Sequence, residues 1–158
     1  MTTPEYTIGP AKIEHLDALP DIERAAAALF PAAVLPPHLG AGTVSPAELA
    51  RAQAKGYLWV AETSDHRPVG FALIKPTMSA AHLAEVDVHP DHQQRGIGRR
   101  LVLTALEWSA TEGYQRVTLT TFTDVPWNAP FYERLGFCRL DPETTPPDLA
   151  RKLSAEKR

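Results

Sequence analysis

The stretch VDVHPDHQQRGIGRRL, Val86 to Leu101, decides the reading of this chain. Its start is a strand, HLAEVDV from His82 to Val88, stopped by Pro90. A polar loop follows, and Gly96 and Gly98 open a helix. That helix runs from Ile97 to Glu112, with Ile97, Leu101, Ala105 and Trp108 on one stripe, Val102 and Leu106 beside it, and Gly113 at its end. A helix start leaves backbone N–H groups unpaired and carries partial positive charge. Glycine there lets a ligand approach the backbone. Arg95, Arg99 and Arg100 add positive charge at an end that favours acidic side chains. A bound phosphate or pyrophosphate resolves that conflict; solvated arginines on a glycine turn are the plainer alternative. Two other phosphate motifs fail. Leu101 stands where a dinucleotide fingerprint needs a third Gly or Ala, and no Gly-Lys-Ser/Thr follows.

Working outward, Tyr57–Glu62 and Val69–Lys75 are short, apolar and rich in β-formers, and TSDHRP between them predicts an antiparallel hairpin. Upstream, Tyr6–Ile8 reads as a strand closed by Gly9-Pro10. Glu14–Phe30 reads as a helix that Pro20 breaks or restarts. Pro31–Gly42 is a proline-rich loop. Ser45, Pro46 and Glu48 predict a capped helix with a capping box, ending at Gly56. Downstream, Arg116–Phe122 reads as a strand, Trp127–Leu135 as a short helix closed by Gly136, and Phe137–Leu140 as a last strand. The tail from Pro146 is charged, with helical spacing. The expected class is mixed α/β (α+β) with a partly antiparallel sheet.

The 158 residues suit one domain, 44% hydrophobic and 22% charged, as in soluble globular proteins. The net charge of −3 speaks against a nucleic-acid binder. One cysteine, Cys138, excludes an internal disulfide and a multi-cysteine zinc site; it reads as a small buried hydrophobe. His82, His89 and His92 lack metal-ligand spacing on one helix, so no metal is expected. No apolar run reaches about 18 residues and no leader pattern opens the chain, so a cytoplasmic protein without a membrane partner is expected.

With these residues on the page, the chain resembles the GNAT superfamily of acetyl-CoA-dependent N-acetyltransferases. Gln93-Gln94-Arg95-Gly96-Ile97-Gly98 is similar to that family's acyl-CoA pyrophosphate motif, and Val88-His89-Pro90 to the strand end before it. Asn128-Ala-Pro-Phe-Tyr132-Glu-Arg-Leu-Gly136-Phe137 resembles its Asn–Tyr–Gly-Phe segment. The resemblance implies one twisted mixed sheet with flanking helices and a V-shaped acyl-CoA cleft. Within a single domain, 1–158, residues 1–56 would form the acceptor side, 57–140 the acyl-CoA-binding core and 141–158 a charged tail. It implies that Gln93, Gln94, Arg95, Gly96, Ile97, Gly98 and Arg99 surround the pyrophosphate, that the Val86 and Val88 backbones pair with the pantetheine arm, and that Asn128 bonds acetyl-CoA from the other side. The tail departs from the family's final strand, and a homodimer is left open.

An amine attacks a thioester only when neutral, so a carboxylate that takes its proton is useful. Alternation puts Glu85 and Asp87 on the face opposite Val86 and Val88. The resemblance favours Glu85 as base, with His89 and Asp87 as alternatives and a solvated strand residue as the plain reading. Strand N–H groups suit the developing oxyanion. A tyrosine, reference pKa about 10, can protonate a departing thiolate of about 8.5, and the resemblance places that acid at Tyr132. The expected activity is acetyl transfer from acetyl-CoA to a primary amine, of a small molecule or a peptide, by direct attack in a ternary complex. A non-catalytic acyl-CoA-binding or regulatory module of the same fold is the alternative. The acceptor side is expected from the first helices, the loop carrying Phe30, Leu35 and His38, and the Phe122–Trp127 loop with Asp124.

Overall fold

Strands form where β-branched and aromatic residues alternate between two layers that each need apolar cover. The computed structural model describes residues 5–28, 44–78, 80–119 and 128–137, with the backbone alone at 128–130. In chain order these give β1 (Tyr6–Pro10), a 3-10 segment (Ile13–Ala18), α1 (Leu19–Ala27), α2 (Pro46–Lys55), β2 (Leu58–Thr63), β3 (Pro68–Pro76), β4 (Ala81–Val88), a 3-10 turn (Pro90–His92), α3 (Ile97–Thr111), β5 (Val117–Thr118) and α4 (Asn128–Arg134). The expected loop at Pro31–Gly42, the expected strand beyond Phe137, Cys138, Trp127, Asp124 and the tail lie outside the described residues.

The sheet order is β1-β2-β3-β4-β5. The first four strands are antiparallel, and β5 runs parallel to β4. One layer packs Ile97, Leu101, Val102 and Ala105 of α3 against Ala72, Ile74, Leu83 and Val88. The opposite layer packs Leu19, Ile22, Leu49 and Ala52 against Leu58, Val60, Phe71 and Leu73. Trp108 extends the α3 layer, with its ring centroid 5.4 Å from that of Tyr57 and 5.5 Å from that of Trp59.

Several boundaries follow the local signals. Ser45 Oγ accepts from the Glu48 N–H, and Gly56 closes α2 at φ +80°. The expected capping box is corrected: the Glu48 carboxylate pairs with Lys75 Nζ at 3.0 Å, because a cation on the neighbouring strand outbids a backbone N–H. Pro20 sits in the first turn of α1, after a 3-10 segment, where its missing N–H costs nothing. β1 continues through Gly9 and Pro10, opposite Val60 and Trp59; proline is tolerated on an edge strand.

Two irregularities matter for the site. In β3–β4 the register steps from Leu73↔Glu85 to Ile74↔Leu83, so Ala84 is an extra residue in β4. This bulge inverts the facing of everything after it. Ala81 and Leu83 face α3; beyond Ala84, Val86 and Val88 face α3, while Glu85 and Asp87 face α1. At Gly70 the second constraint is space: a Cβ there would stand 3.0 Å from the Asp87 carbonyl oxygen and 3.3 Å from Leu101 Cδ1. Gly70→Ala should therefore cost ~1–3 kcal/mol of stability through overpacking. Gly9→Ala, with nothing within 4 Å, should change stability by less than about 1 kcal/mol. Urea denaturation of both variants checks this; equal stabilities would mean that α3 is free to move away from β3.

Candidate active site

The loop between β4 and α3 is built by local bonds. His89 Nδ1 accepts from the Asp91 N–H at 3.1 Å and so caps the 3-10 turn. Gln93 Nε2 donates to the Val88 carbonyl at 2.7 Å, tying loop to strand. Gln94 and Gly96 take left-handed conformations, φ 61° and 78°. For Gln94 that conformation is uncommon, and a ligand or a tight loop is its usual reason. α3 begins at Ile97 with no side-chain cap and no acid in its first turn. Its first N–H groups are thus open to an anion.

The arginines divide their work. Arg100 Nη1 donates to the Tyr6 carbonyl at 3.0 Å, and Arg95 Nη1 to the Tyr6 hydroxyl at 3.3 Å. The same hydroxyl lies 2.8 Å from His92 Nδ1. Burial, and then the Arg95 charge, hold the His92 ring below its usual pKa, so it stays neutral and able to share a proton with Tyr6. Arg99 is exposed and has no such tie among the described residues. Tyr6, far upstream in sequence, gave no signal of this role.

The edge of β4 opposite β3 pairs with β5. β4 pairs with β5 only at Ala81↔Val117 and His82↔Thr118; beyond His82 no further pairing with β5 occurs among the described residues. The His89 N–H donates to the Val69 carbonyl at 2.8 Å. Antiparallel ladders alternate, so Val88 and Val86 turn their peptide groups away from β3, toward the edge on which β5 lies. Gly98 borders it: a Cβ there would lie 3.6 Å from Phe131 Cζ of α4 and 3.8 Å from Val88 Cγ2. The helix start, strand end and α4 therefore meet at one glycine.

Three carboxyls gather on the α1 side. One oxygen each from Glu23, Glu85 and Asp87 lies within 4.8 Å of the others. Burial, and then the Asp87 charge, raise Glu85 well above the usual carboxylate range. Burial raises Asp87 to about 7, with the Glu23 charge adding to it and the Glu85 hydrogen bond opposing. Burial and the Glu85 charge raise Glu23 to about 7, against the Val44 N–H that donates to Glu23 Oε1 at 2.7 Å. Asp87 Oδ2 is buried without a hydrogen-bond partner among the described residues. Burial first, then the Asp87 and Glu85 charges, push the Tyr132 hydroxyl far up, so the phenol stays protonated. Its ring packs on Phe131 and Phe137 at 5.0 and 5.9 Å between centroids.

Of the residues singled out from sequence, Val86, Val88 and Gln93 to Arg99 form one run from strand edge to helix start. Glu85, Asp87 and Tyr132 form an electrostatically linked group beside it. Asn128 begins α4, and its side chain lies outside the described residues. His89 is occupied as a cap and does not join the carboxyls. Glu23 was missed: in DIERAAA it is indistinguishable from an ordinary polar residue of an amphipathic helix.

A model of the acetyltransferase (GNAT) family matches residues 19–137. Over 85 residues the chain is 32% identical to the [ribosomal protein bS18]-alanine N-acetyltransferase of Salmonella typhimurium, covering 54% of this chain and 57% of that protein. Over 58 residues it is 38% identical to the glucosamine 6-phosphate N-acetyltransferase of Schizosaccharomyces pombe, covering 37% of this chain and 50% of that protein. The chain thus spans about half the length of these curated relatives. The PaiA N-acetyltransferase of Thermoplasma acidophilum, solved in complex with coenzyme A, shares the fold with a TM-score of 0.70 at 20% identity, over 87% of this chain and 92% of that one.

The carboxyl group has a consequence for stability. A folded pKa raised above the unfolded value contributes stability present below the unfolded pKa and lost as pH rises through the folded one. For Glu23 that window runs from 4.5 to about 7. Glu23→Gln keeps an acceptor for the Val44 N–H and removes the charge. Its melting temperature relative to the parent should therefore rise from pH 5 to pH 8, measured by scanning calorimetry. Parallel curves across that range would show that Glu23 titrates like an exposed glutamate.

Proposed function

Because this chain belongs to the GNAT acetyltransferase family, we propose that it transfers an acetyl group from acetyl-CoA to a primary amine by direct attack in a ternary complex. The observation that carries this reading is the run from β4, with Glu85 and Asp87 on it, into the uncapped start of α3, and α4 beside it, with Tyr132 next to the Phe131 ring that borders Gly98. A donor and a proton acceptor in one place are what aminolysis of a thioester needs.

The residues present fit the co-substrate. The uncapped start of α3 and the left-handed Gln94 and Gly96 suit a pyrophosphate, and Gly98 lets the Phe131 ring and Val88 close on the helix start. Arg99 and Arg95 add charge there, and Gln93 and Ile97 hold the loop and helix start in place. The outward peptide groups of Val86 and Val88 suit the amide-bearing pantetheine arm. Asn128 opens α4, the helix whose Phe131 ring borders Gly98.

Bound acetyl-CoA supplies the activated acetyl thioester. Burial favours the neutral form of Glu85; a cationic amine beside it favours the carboxylate, which takes the proton that the acceptor must lose, directly or through one water. The new bond joins the amine nitrogen to the acetyl carbon. A β4 N–H stabilises the negative charge growing on the carbonyl oxygen. Tyr132 gives its proton to the sulfur as the C–S bond breaks, and its phenol recovers one from solvent.

Release of free CoA thiol across a panel of primary amines tests the activity. Tyr132→Phe keeps the ring and removes the proton, so kcat should fall about 10²-fold or more while the acetyl-CoA Kd by calorimetry stays within about 3-fold. Lost affinity with kcat intact would make Tyr132 a binding residue. Glu85→Gln should lower kcat/KM about 10²-fold at pH 7, and the deficit should narrow above pH 9 as free amine accumulates. A pH–rate profile that overlays the parent would move the proton acceptor away from Glu85.

A further inference from the structure

Three carboxyls within 4.8 Å of one another repel strongly once desolvated, and a cation among them removes that repulsion. Two of them, Glu85 and Asp87, lie on β4. The third, Glu23, arrives from α1 and is held by the Val44 N–H. A second observation points to a ligand: Asp87 Oδ2 is buried and has no hydrogen-bond partner among the described residues. A buried acceptor of this kind costs free energy unless a donor arrives.

Resting on the acetyl-transfer reading, we propose that Glu23 is an acceptor-binding carboxyl, and that with Glu85 and Asp87 it forms a cation site for an alkylammonium acceptor with no anionic group near its nitrogen. The ammonium has three donors, enough to satisfy Asp87 Oδ2 and an oxygen of each glutamate. Entry of the cation favours ionised carboxyls, so protons leave the group as the amine binds. The next proton, from the amine itself, then has a carboxylate waiting.

The charged groups facing this site are few. Arg24 and the Val44 N–H face Glu23; Lys75 and Asp87 face Glu85; Glu23, Glu85 and the neutral Tyr132 face Asp87. Arg24 is already paired with Asp21 and Lys75 with Glu48. Among the described residues, the carboxyls thus keep a net negative field that an acceptor carboxylate or phosphate would meet unfavourably. Since Glu23 and Asp87 titrate near pH 7, the affinity for an amine that stays cationic should rise from pH 6 to pH 8.

The test uses the full chain saturated with CoA, so that binding is read without turnover. Butylamine and 4-aminobutanoate are titrated by calorimetry at pH 7, in two buffers of different ionisation enthalpy. Butylamine should bind with proton release, and 4-aminobutanoate about 10-fold or more weakly. Glu23→Gln should weaken butylamine about 10-fold, the scale of losing a charged hydrogen-bond partner, and should reduce proton release. Equal affinity for the two probes, no butylamine binding, or a Glu23→Gln variant with parental affinity and proton release would overturn the proposal. Tight stoichiometric Mn²⁺ or Ca²⁺ binding that excludes butylamine would also overturn it, by making this a metal site. The two readings fail separately. Amine acetylation with acceptor KM unmoved by Glu23→Gln sinks only the cation site. Butylamine binding as described, with no amine ever acetylated, sinks only the transferase.

Discussion

One extra residue in β4 organises the rest of the molecule. Strand faces alternate with a period of two, so the insertion of Ala84 reverses every later side chain. Without it, Glu85 and Asp87 would be driven into the layer of Ile97, Leu101 and Val102, where a carboxyl finds no partner. Val86 and Val88 would then lie on the α1 side and leave α3 uncovered. With it, two valines complete the apolar layer under α3, and two acids meet Glu23. The same strand thus serves the core on one face and chemistry on the other, and the switch between the two is a single backbone irregularity.

Much of the fold was legible in local pattern. α3 announced itself by its apolar stripe and Gly113, α2 by Ser45, Pro46 and Gly56, and the hairpin by two β-rich runs around a polar turn. The loop from Val88 to Gly98 was legible because glycines and arginines at a helix start are an unusual combination. What could not be read were contacts between residues distant in sequence. The bulge at Ala84 is set by how β3 and β4 match in register, which no local periodicity encodes. Glu23 and Tyr6 look ordinary in their own segments, and only the folded chain brings them to Glu85 and Arg95. Glu48 carried a capping signal that was half right: its N–H is capped, while its carboxylate was claimed by Lys75.

The electrostatics of the site form a connected system. Desolvation raises the three carboxyls, and it also raises the Tyr132 phenol, with the Asp87 and Glu85 charges adding to it. Removing any one member changes the proton affinity of the others, so the group titrates as a unit and its apparent values belong to no single residue.

Tyr6 links this machinery to the margin of the sheet. Among the described residues β1 pairs on one side only, with β2, and yet its first residue holds both Arg95 and Arg100. Fraying at a strand end and order in a phosphate-sized loop are thereby two readings of one equilibrium. Thermodynamic reciprocity then applies: whatever melts β1 weakens the loop's grip on an anion, and an anion seated at the loop slows hydrogen exchange in β1.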